Sequence, residues 1–571
     1  MVHFSLTAAT DMVQSKQSKA RDMDPAFAGL DIVKDKINSV CQNLQPWQVV
    51  LYTCGTTVVV ISVKNFIFNE EEDLVPRMKK KFFRLVKMIP QVKKKIKEEK
   101  KKMSNEMEES FHKQVEGYIL ALPAKGLPMD SVIDELKKYQ QIAGIDWESG
   151  LVSGTVYNGD PKLTDLMSKT YGMFAWTNPL HADVFPDIRK MEAEVVRMCC
   201  SMFNGDSDTA GTMTSGGTES ILMACLAYRN IARDRGVNIP EIIAPITVHA
   251  AFDKAASYFR MKLTHIPIDE ETRMVDIKAM RRAINKNTCM LVGSAPNFPH
   301  GIIDSIEEIC QLGLKYNIPT SSHLYKCHFH VDCCLGGFLV PFMEKAGYKI
   351  PMCDFRVDGV TSISADTHKY AFAPKGSSVI LYRNKDIRQR QFFVQPNWPG
   401  GIYATSSMGG SRAGAIIAAC WATLVYFGEE GYVNSTRKII ATTRKITDGL
   451  RKIKGMKVYG DPLMSVIGFG SDEFNIFRLA DYMTSKGWAL NSLQYPNSVH
   501  LCVTFVHTHE GVAERFLGDV QNGVTEILKD PNSEIGGMGA IYGMAQTIPD
   551  KSMVTELVGC FLDALYSTDK H

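Results

Sequence analysis

Residues 47–68, WQVVLYTCGTTVVVISVKNFIF, are the one long apolar window of the chain, and they decide what the rest can be. Wound as a helix, such a run is about the ~20 residues that cross a hydrocarbon layer. Trp47 stands at one end, and Lys64 is placed to snorkel near the other. A single transmembrane helix over 47–68 is therefore expected. Thr53, Cys54, Gly55, Thr56 and Thr57 dilute its apolar character, so a buried or interfacial helix is the competing assignment. The flanks set the orientation. Residues 1–46 balance five basic against five acidic side chains, whereas 77–102 carry thirteen Lys and Arg against two Glu. The positive-inside rule makes 1–46 a lumenal segment and puts the bulk of the chain in the cytosol. Residues 1–30 lack a basic start followed by an apolar core, so no cleavable signal peptide is expected. The basic run can attract anionic headgroups; a solvated basic helix without a partner is the plainer alternative.

The remainder has the composition of a folded soluble protein. Of 571 residues, 45% are hydrophobic and 22% charged, which excludes a disordered, collagen-like or polytopic membrane chain. The net charge of +3 is owed to the basic run alone, and residues 103–571 are net negative, so nothing in the charge balance suits nucleic acid. Fourteen Cys in so long a chain make no small disulfide scaffold and fit a reducing compartment. Residues 69–150 read as a basic juxtamembrane and helical connecting segment, with apolar positions 132, 133, 136 and 139 at helical spacing. From 151 to 424 short β-like runs (EIIAPITV, TCMLVGSA, FHVD, GVTSISA, SSVILYR) alternate with helical stretches, the pattern of an α/β domain with a mostly parallel central sheet. A smaller C-terminal α/β domain is expected over 425–571, and no fixed-period repeat occurs.

Four local features carry chemistry. Thr214-Ser215-Gly216-Gly217-Thr218-Glu219-Ser220 opens directly into a helical run, where unpaired amides and glycines can surround a phosphate; the same residues also suit an ordinary turn and N-cap. Ile363 to Tyr370, ISADTHKY, sets Lys369 just past a strand beside His368, Thr367 and Asp366, a position from which an amine can condense with a carbonyl. Asp332 ends the strand-like FHVD and can face a pyridinium nitrogen, although a strand-end Asp is ordinarily a turn former. His249, at a strand-to-helix junction, can stack on a flat ring or serve as a cap.

The order of these features, with SGTVYNG, FAWTNPLHADVFP, HAAFDKAASYF, FPHGIID, GGIYATSSMGGSRAG and GGMGAIYGMAQT, resembles the fold type I pyridoxal-phosphate enzymes. Within them it is similar, from about residue 104 to 567, to the sphingosine-1-phosphate lyase family, related to the group II amino-acid decarboxylases. The resemblance implies an aspartate aminotransferase-like fold, pyridoxal 5'-phosphate as cofactor, a homodimer, and an endoplasmic reticulum membrane location. It implies that Lys369 binds the cofactor covalently, Asp332 pairs with its ring nitrogen, His249 stacks on it, and Gly216, Gly217, Thr218 and His368 hold its phosphate. It further implies a substrate-phosphate site from Tyr157, His181 and Lys375, with Tyr403 reaching in from a partner subunit. The implied reaction is retro-aldol cleavage of a phosphorylated sphingoid base to a long-chain aldehyde and phosphoethanolamine. Arg412 is expected to form an internal ion pair rather than a carboxylate clamp.

One stretch departs from that family. Relatives pass from an Ile-Pro pair almost directly into the His-Val-Asp strand, whereas about nine further residues follow Ile318-Pro319 here, a length that a central parallel strand must loop out. Phe329–Asp332 is expected to complete the strand while Ser321 to Cys327 bulges away. His323, Cys327, His328, His330, Cys333 and Cys334 lack a clean ligand spacing, so no metal site is assigned. Two rival readings are an amino-acid decarboxylase and a membrane-anchored relative disabled by displacement of Asp332.

Overall fold

The computed structural model describes residues 34–67, 74–112, 115, 117–142, 144–316, 328–532 and 551–568. They part into two compact units between Arg77 and Met78. The first unit holds the helix Pro46–Ile67, whose only charged side chain is Lys64. Among the described residues it is the one helix long and apolar enough to cross a membrane, and none of its apolar window is buried. Phe68, the last residue of the expected span, lies outside the described residues.

The second unit is built on seven strands: β1 Ala210–Thr214, β2 Glu241–Pro245, β3 Lys262–Ile266, β4 Thr288–Ser294, β5 Phe329–Asp332, β6 Val360–Ala365 and β7 Ser378–Tyr382. Their order is β1-β7-β6-β5-β4-β2-β3. The pairs from β6 across to β3 are parallel, and β7 runs antiparallel to both of its neighbours. Every residue of β4, β5 and β6 is buried, because helices such as Gly217–Asp234 and Ile306–Tyr316 cover the sheet. Burial on both sides is why these strands read as continuous apolar runs rather than alternations. The fold is the expected mostly parallel α/β architecture.

A second sheet comprises β10 Lys457–Val458, β11 Val466–Gly470, β12 Asn491–Leu493 and β13 Ser498–Cys502, antiparallel in the order β10-β11-β13-β12. The helix Gly414–Lys452 packs against β10 and β11 and is broken at Gly428, whose φ of 54° and ψ of −175° are not helical. The boundary expected at 424/425 falls inside this helix. Leu291, Val331 and Ile363 of the large sheet share one hydrophobic cluster with Val466, Phe469 and Leu501 of the small one. Between the sheets in sequence, β8 Phe393–Trp398 and β9 Gly401–Thr405 form an exposed hairpin.

The added length before Asp332 leaves β5 intact. Phe329 pairs with Leu291 and Asp332 with Ser294 on one side, and Asp332 with Ser364 on the other. The expected bulge of Ser321 to Cys327 lies outside the described residues. Beneath Asp332 the strand carries a buried polar network. His330 bonds Ser362 Oγ at 2.8 Å through Nδ1 and Ser364 Oγ at 3.1 Å through Nε2. Tyr228 bonds Thr361 and Ser362 at 2.7 and 2.6 Å.

Burial pushes six histidines down: His328 to about 3, His300, His330, His500 and His507 to about 4, and His368 in the same direction. Burial pushes the Asp304 carboxyl up to about 7. Between about pH 4 and the ordinary histidine value of ~6.5 the unfolded chain takes up protons that these folded histidines refuse, so stability falls as pH falls. Asp304 acts in the opposite sense, keeping its proton in the folded state up to about pH 7. His265, raised by its bond to Asp253, acts in the same sense as Asp304, and the six lowered histidines outweigh these two. The melting temperature should drop steadily from pH 7 to pH 5, each histidine contributing up to about 1.4 kcal/mol per pH unit. Thermal melts across that range check this, and a flat or rising profile contradicts it.

Candidate active site

The site is assembled from two strand ends and one helix start. Asp332, at the C-terminal end of β5, is 6% exposed. Its Oδ1 accepts the amide of Cys334 at 3.1 Å, and the Cys334 thiol reaches Ser364 Oγ at 3.2 Å. Gly336 closes the loop that follows, since a Cβ there would strike the carbonyl oxygen of Ala295. Among the described residues no cation pairs with Asp332. A buried carboxylate without one is costly, and a protonated ring nitrogen is the kind of group that would relieve it.

Lys369 lies in the turn that leaves β6. Its Nζ is 2.8 Å from Asp366 Oδ2, and Asp366 is 2% exposed with Oδ1 left without a partner. Burial disfavours the Lys369 charge, but the attraction of Asp366 outweighs it and holds the ammonium above the ordinary lysine range. The turn is tied down on its far side: Thr367 bonds Ser377 Oγ at 2.7 Å, and His368 Nδ1 donates to the Ser377 carbonyl at 2.6 Å. His368 Nε2 is thereby left facing Asp366 at 3.7 Å.

The helix Gly217–Asp234 begins against this turn. A Cβ on Gly217 would sit 2.8 Å from both Asp366 oxygens and from Cys334 Sγ, and one on Gly216 would sit 3.9 Å from His368 Cε1. Glycine is needed for that approach rather than for a special φ. Glu219 reaches back to the Ser215 amide and hydroxyl at 2.7 and 2.6 Å, and also accepts the Met408 amide at 2.9 Å. Thr214, Ser220 and Ser378 are linked through their hydroxyls. The first-turn amides of the helix, with Thr218 exposed beside them, have no intrahelical acceptor and face outward as anion donors. The glycine cradle, the amine and the unpaired strand-end carboxylate fit pyridoxal phosphate.

Tyr157 and Lys375 form a second cluster. Lys375 Nζ lies 4.8 Å over the Tyr157 ring, and that ring meets Tyr370 edge-on at 4.9 Å. Burial raises the Tyr157 phenol well above its ordinary value, so it is a neutral donor. Burial and the nearby Lys369 charge lower Lys375. His181 is exposed, its amide bonded to the Asn178 carbonyl. Tyr403 stands on β9 between Phe393 and Trp398, at 6.3 and 6.0 Å. These two are not drawn into the Tyr157 and Lys375 pair by any bond or ring contact within the subunit. His249 is also exposed; its Nδ1 accepts the Ala251 amide at 3.1 Å, and its ring meets Phe298 edge-on at 6.4 Å. Arg412 forms the expected internal pair, with Glu192 at 2.9 Å through Nη2.

Sequence reasoning gave no role to Asp366, Tyr370 or Cys502. Tyr370 donates to the Val503 carbonyl at 2.8 Å and touches Cys502 Sγ at 3.3 Å. Ser153 Oγ accepts the Cys502 amide at 2.9 Å, and the Phe505 amide donates to the Tyr157 carbonyl at 3.1 Å. Asp366 was legible as an acid three residues before the lysine. The contacts of Cys502 lie some 350 residues away in sequence from Ser153, beyond any local signal.

Replacing Asp366 by Asn removes the charge that holds Lys369 protonated. Capture of added pyridoxal phosphate by cofactor-free protein, followed by absorbance at pH 8, should accelerate about tenfold for each unit by which the Lys369 value falls; an unchanged rate contradicts the pairing. Gly217→Ala should weaken cofactor retention by at least about tenfold, roughly 1.4 kcal/mol, in a dialysis titration. Retention at the unsubstituted level would remove the glycine cradle from the site.

The family described as pyridoxal-dependent decarboxylase conserved domain matches residues 162–471, more than half of the chain. Sphingosine-1-phosphate lyase 1 of Rattus norvegicus is 50% identical over 558 residues, covering 96% of either chain. The sphingosine-1-phosphate lyase of Drosophila melanogaster is 47% identical, covering 95% of this chain and 99% of that one. Among solved structures, the Burkholderia pseudomallei sphingosine-1-phosphate lyase superposes with a TM-score of 0.69 at 39% identity, over 72% of this chain and 94% of that one. A Lactobacillus brevis glutamate decarboxylase shares the fold alone, at TM-score 0.63 and 20% identity, over 74% and 97% of the two chains. Identity of this depth, sustained over nearly the whole length and joined to the fold of pyridoxal enzymes, places the chain in the sphingosine-1-phosphate lyase family of pyridoxal-phosphate-dependent lyases.

Proposed function

We propose that this protein cleaves phosphorylated sphingoid bases between C2 and C3, releasing a long-chain aldehyde and phosphoethanolamine. The observation that carries this reading is the setting of Lys369 and Asp366 close to a phenol and an ammonium, Tyr157 and Lys375, suited to a phosphate dianion. Pyridoxal phosphate, bound through Lys369 and held by Gly216, Gly217, Thr218 and His368, supplies an electron sink when Asp332 keeps its ring nitrogen protonated.

The remaining work falls to the chain's own side chains. Tyr157 donates as a neutral phenol and Lys375 as a cation to the substrate phosphate, with His181 assisting, and this fixes the C2–C3 bond relative to the lysine turn. His249 would cover the flat ring of the bound cofactor. With the cofactor bound, Asp366 would hold the Lys369 amine in place when it is free, and Lys369 would carry the proton that C2 requires after the aldehyde departs. An amino-acid decarboxylase needs a cation for the substrate carboxylate, and Arg412 is committed to Glu192.

A homodimer anchored in the endoplasmic reticulum membrane, with its catalytic body in the cytosol, completes the reading. Support for a second subunit comes from the exposed apolar side chains Phe393, Val394, Trp398 and Ile402 of the β8–β9 hairpin, the element that bears Tyr403. Tyr403 then serves the site of the opposite subunit. Support for the orientation comes from the basic run after the membrane helix.

Lys369→Ala should abolish both the visible absorbance of the bound cofactor and the release of aldehyde from a phosphorylated sphingoid base. Borohydride reduction followed by peptide mapping should place the adduct on Lys369. Undiminished turnover, or carbon dioxide from amino acids without aldehyde from the phospho-base, would overturn the assignment.

A further inference from the structure

Tyr370 directly follows Lys369 and is buried. Its hydroxyl donates to the Val503 carbonyl at 2.8 Å and lies 3.3 Å from Cys502 Sγ, so the ring bridges the lysine turn and the end of β13. A buried phenol that left these partners would carry the desolvation cost of an unmade bond, which confines the ring to one rotamer. That ring meets Tyr157 at 4.9 Å with an interplanar angle of 82°, the edge-to-face arrangement that aromatic quadrupoles favour. Lys375 Nζ stands 4.8 Å over the same Tyr157 ring. The main chain around Tyr157 is fixed from the same strand end: the Phe505 amide donates to the Tyr157 carbonyl at 3.1 Å, and the Gly154 amide to the Cys502 carbonyl at 3.0 Å. At its φ of 67°, Gly154 brings the chain in so closely that a Cβ would sit 3.1 Å from Cys502 Sγ and 3.7 Å from the Tyr157 hydroxyl. Backbone bonds fix where the Tyr157 side chain starts. Its two torsions remain, and packing against the ring decides where the phenol ends.

We infer that Tyr370 is a positioning residue: it sets the Tyr157 phenol relative to the Lys369 amine, and so fixes the separation between amine and phosphate that a substrate must match. The inference rests on the proposed role of Tyr157 and Lys375 as donors to the substrate phosphate. Tyr370 acts through Tyr157, because its own hydroxyl is committed to Val503 and Cys502. Lys369 and Tyr157 lie far apart in sequence, and Tyr370 joins them by one peptide bond on one side and one ring contact on the other. That is the shortest link between the amine and the phenol, and it is anchored at its far end to the small sheet. Charge-assisted hydrogen bonds to a dianion depend steeply on distance and angle, so a phenol released from this contact offers a phosphate a weaker and less selective bond.

The test uses the cofactor-loaded, full-length protein and compares Tyr370→Leu with Tyr370→Phe. Phosphoethanolamine and aminopropyl phosphate, which is one carbon longer, serve as competing probes. The unsubstituted enzyme should bind the shorter probe more tightly. Tyr370→Leu should weaken that binding by about tenfold, raise KM in step with a smaller change in kcat, narrow the gap between the two probes, and leave the cofactor absorbance in place. Tyr370→Phe keeps the ring and should recover most of the loss. On a Tyr157→Phe background Tyr370→Leu should cost far less, as residues that act through one another require; an equal cost on both backgrounds overturns the inference. Fluorotyrosine in place of Tyr157 separates this inference from the reading it rests on, because its fluorine resonance should shift or broaden in Tyr370→Leu with no probe present. An unchanged resonance overturns the positioning role whatever the kinetics. A changed resonance with unaltered probe binding keeps the ring contact and sinks the phosphate role of Tyr157. Where Tyr370→Leu does not fold, Tyr370→Phe carries the test: loss of the hydroxyl bonds should still broaden the resonance, and one as sharp as in the unsubstituted protein overturns the inference.

Discussion

The register of three parallel strands fixes where Asp332 stands. Asp332 sits level with Ser294 of β4 and Ser364 of β6. A slip of one residue would turn Asp332 into the core that Cys333 occupies and bring Cys333 to the opposite face. His330 guards against that slip. Its two ring nitrogens engage Ser362 and Ser364, two residues apart on β6, and reach both hydroxyls only in the observed register. A fully buried imidazole gains from that bonding because each unpaired nitrogen would carry a desolvation cost. Additional chain between the helix Ile306–Tyr316 and β5 is therefore compatible with an undisturbed Asp332.

Charge is distributed sparingly around that register. Asp332 and Asp366 are both buried, and the half-buried Lys369 pairs with Asp366. Among the described residues Asp332 is held by the Cys334 amide and by its strand position. In a site of low dielectric such imbalance is costly in the isolated chain and becomes an attraction for a ligand that is cationic at one end and anionic at the other. Gly217 brings the helix start, with its positive end, against Asp366, the partner of Lys369.

The small sheet takes part as well. Tyr370, the residue after the lysine, bonds the backbone at Val503, while Ser153, Gly154 and Tyr157 bond the backbone from Cys502 to Phe505. The segment carrying Tyr157 and the turn carrying Lys369 are thus tied to one strand end of the second sheet. The shared core beneath them makes the two sheets a single mechanical support for the site.

The sequence by itself determined the elements and their chemistry. Apolar runs of strand length marked β2, β4, β5, β6 and β7, because strands buried on both faces need no polar alternation. The glycine pair before a helix, the lysine after a strand and the strand-end aspartate were legible because each depends on local backbone geometry. Only the tertiary structure decided which carboxylate holds the lysine, that the two sheets share one core, and that Cys502 and Tyr370 stand beside Tyr157. These depend on chain segments hundreds of residues apart meeting at one strand end, and no local periodicity records such a meeting.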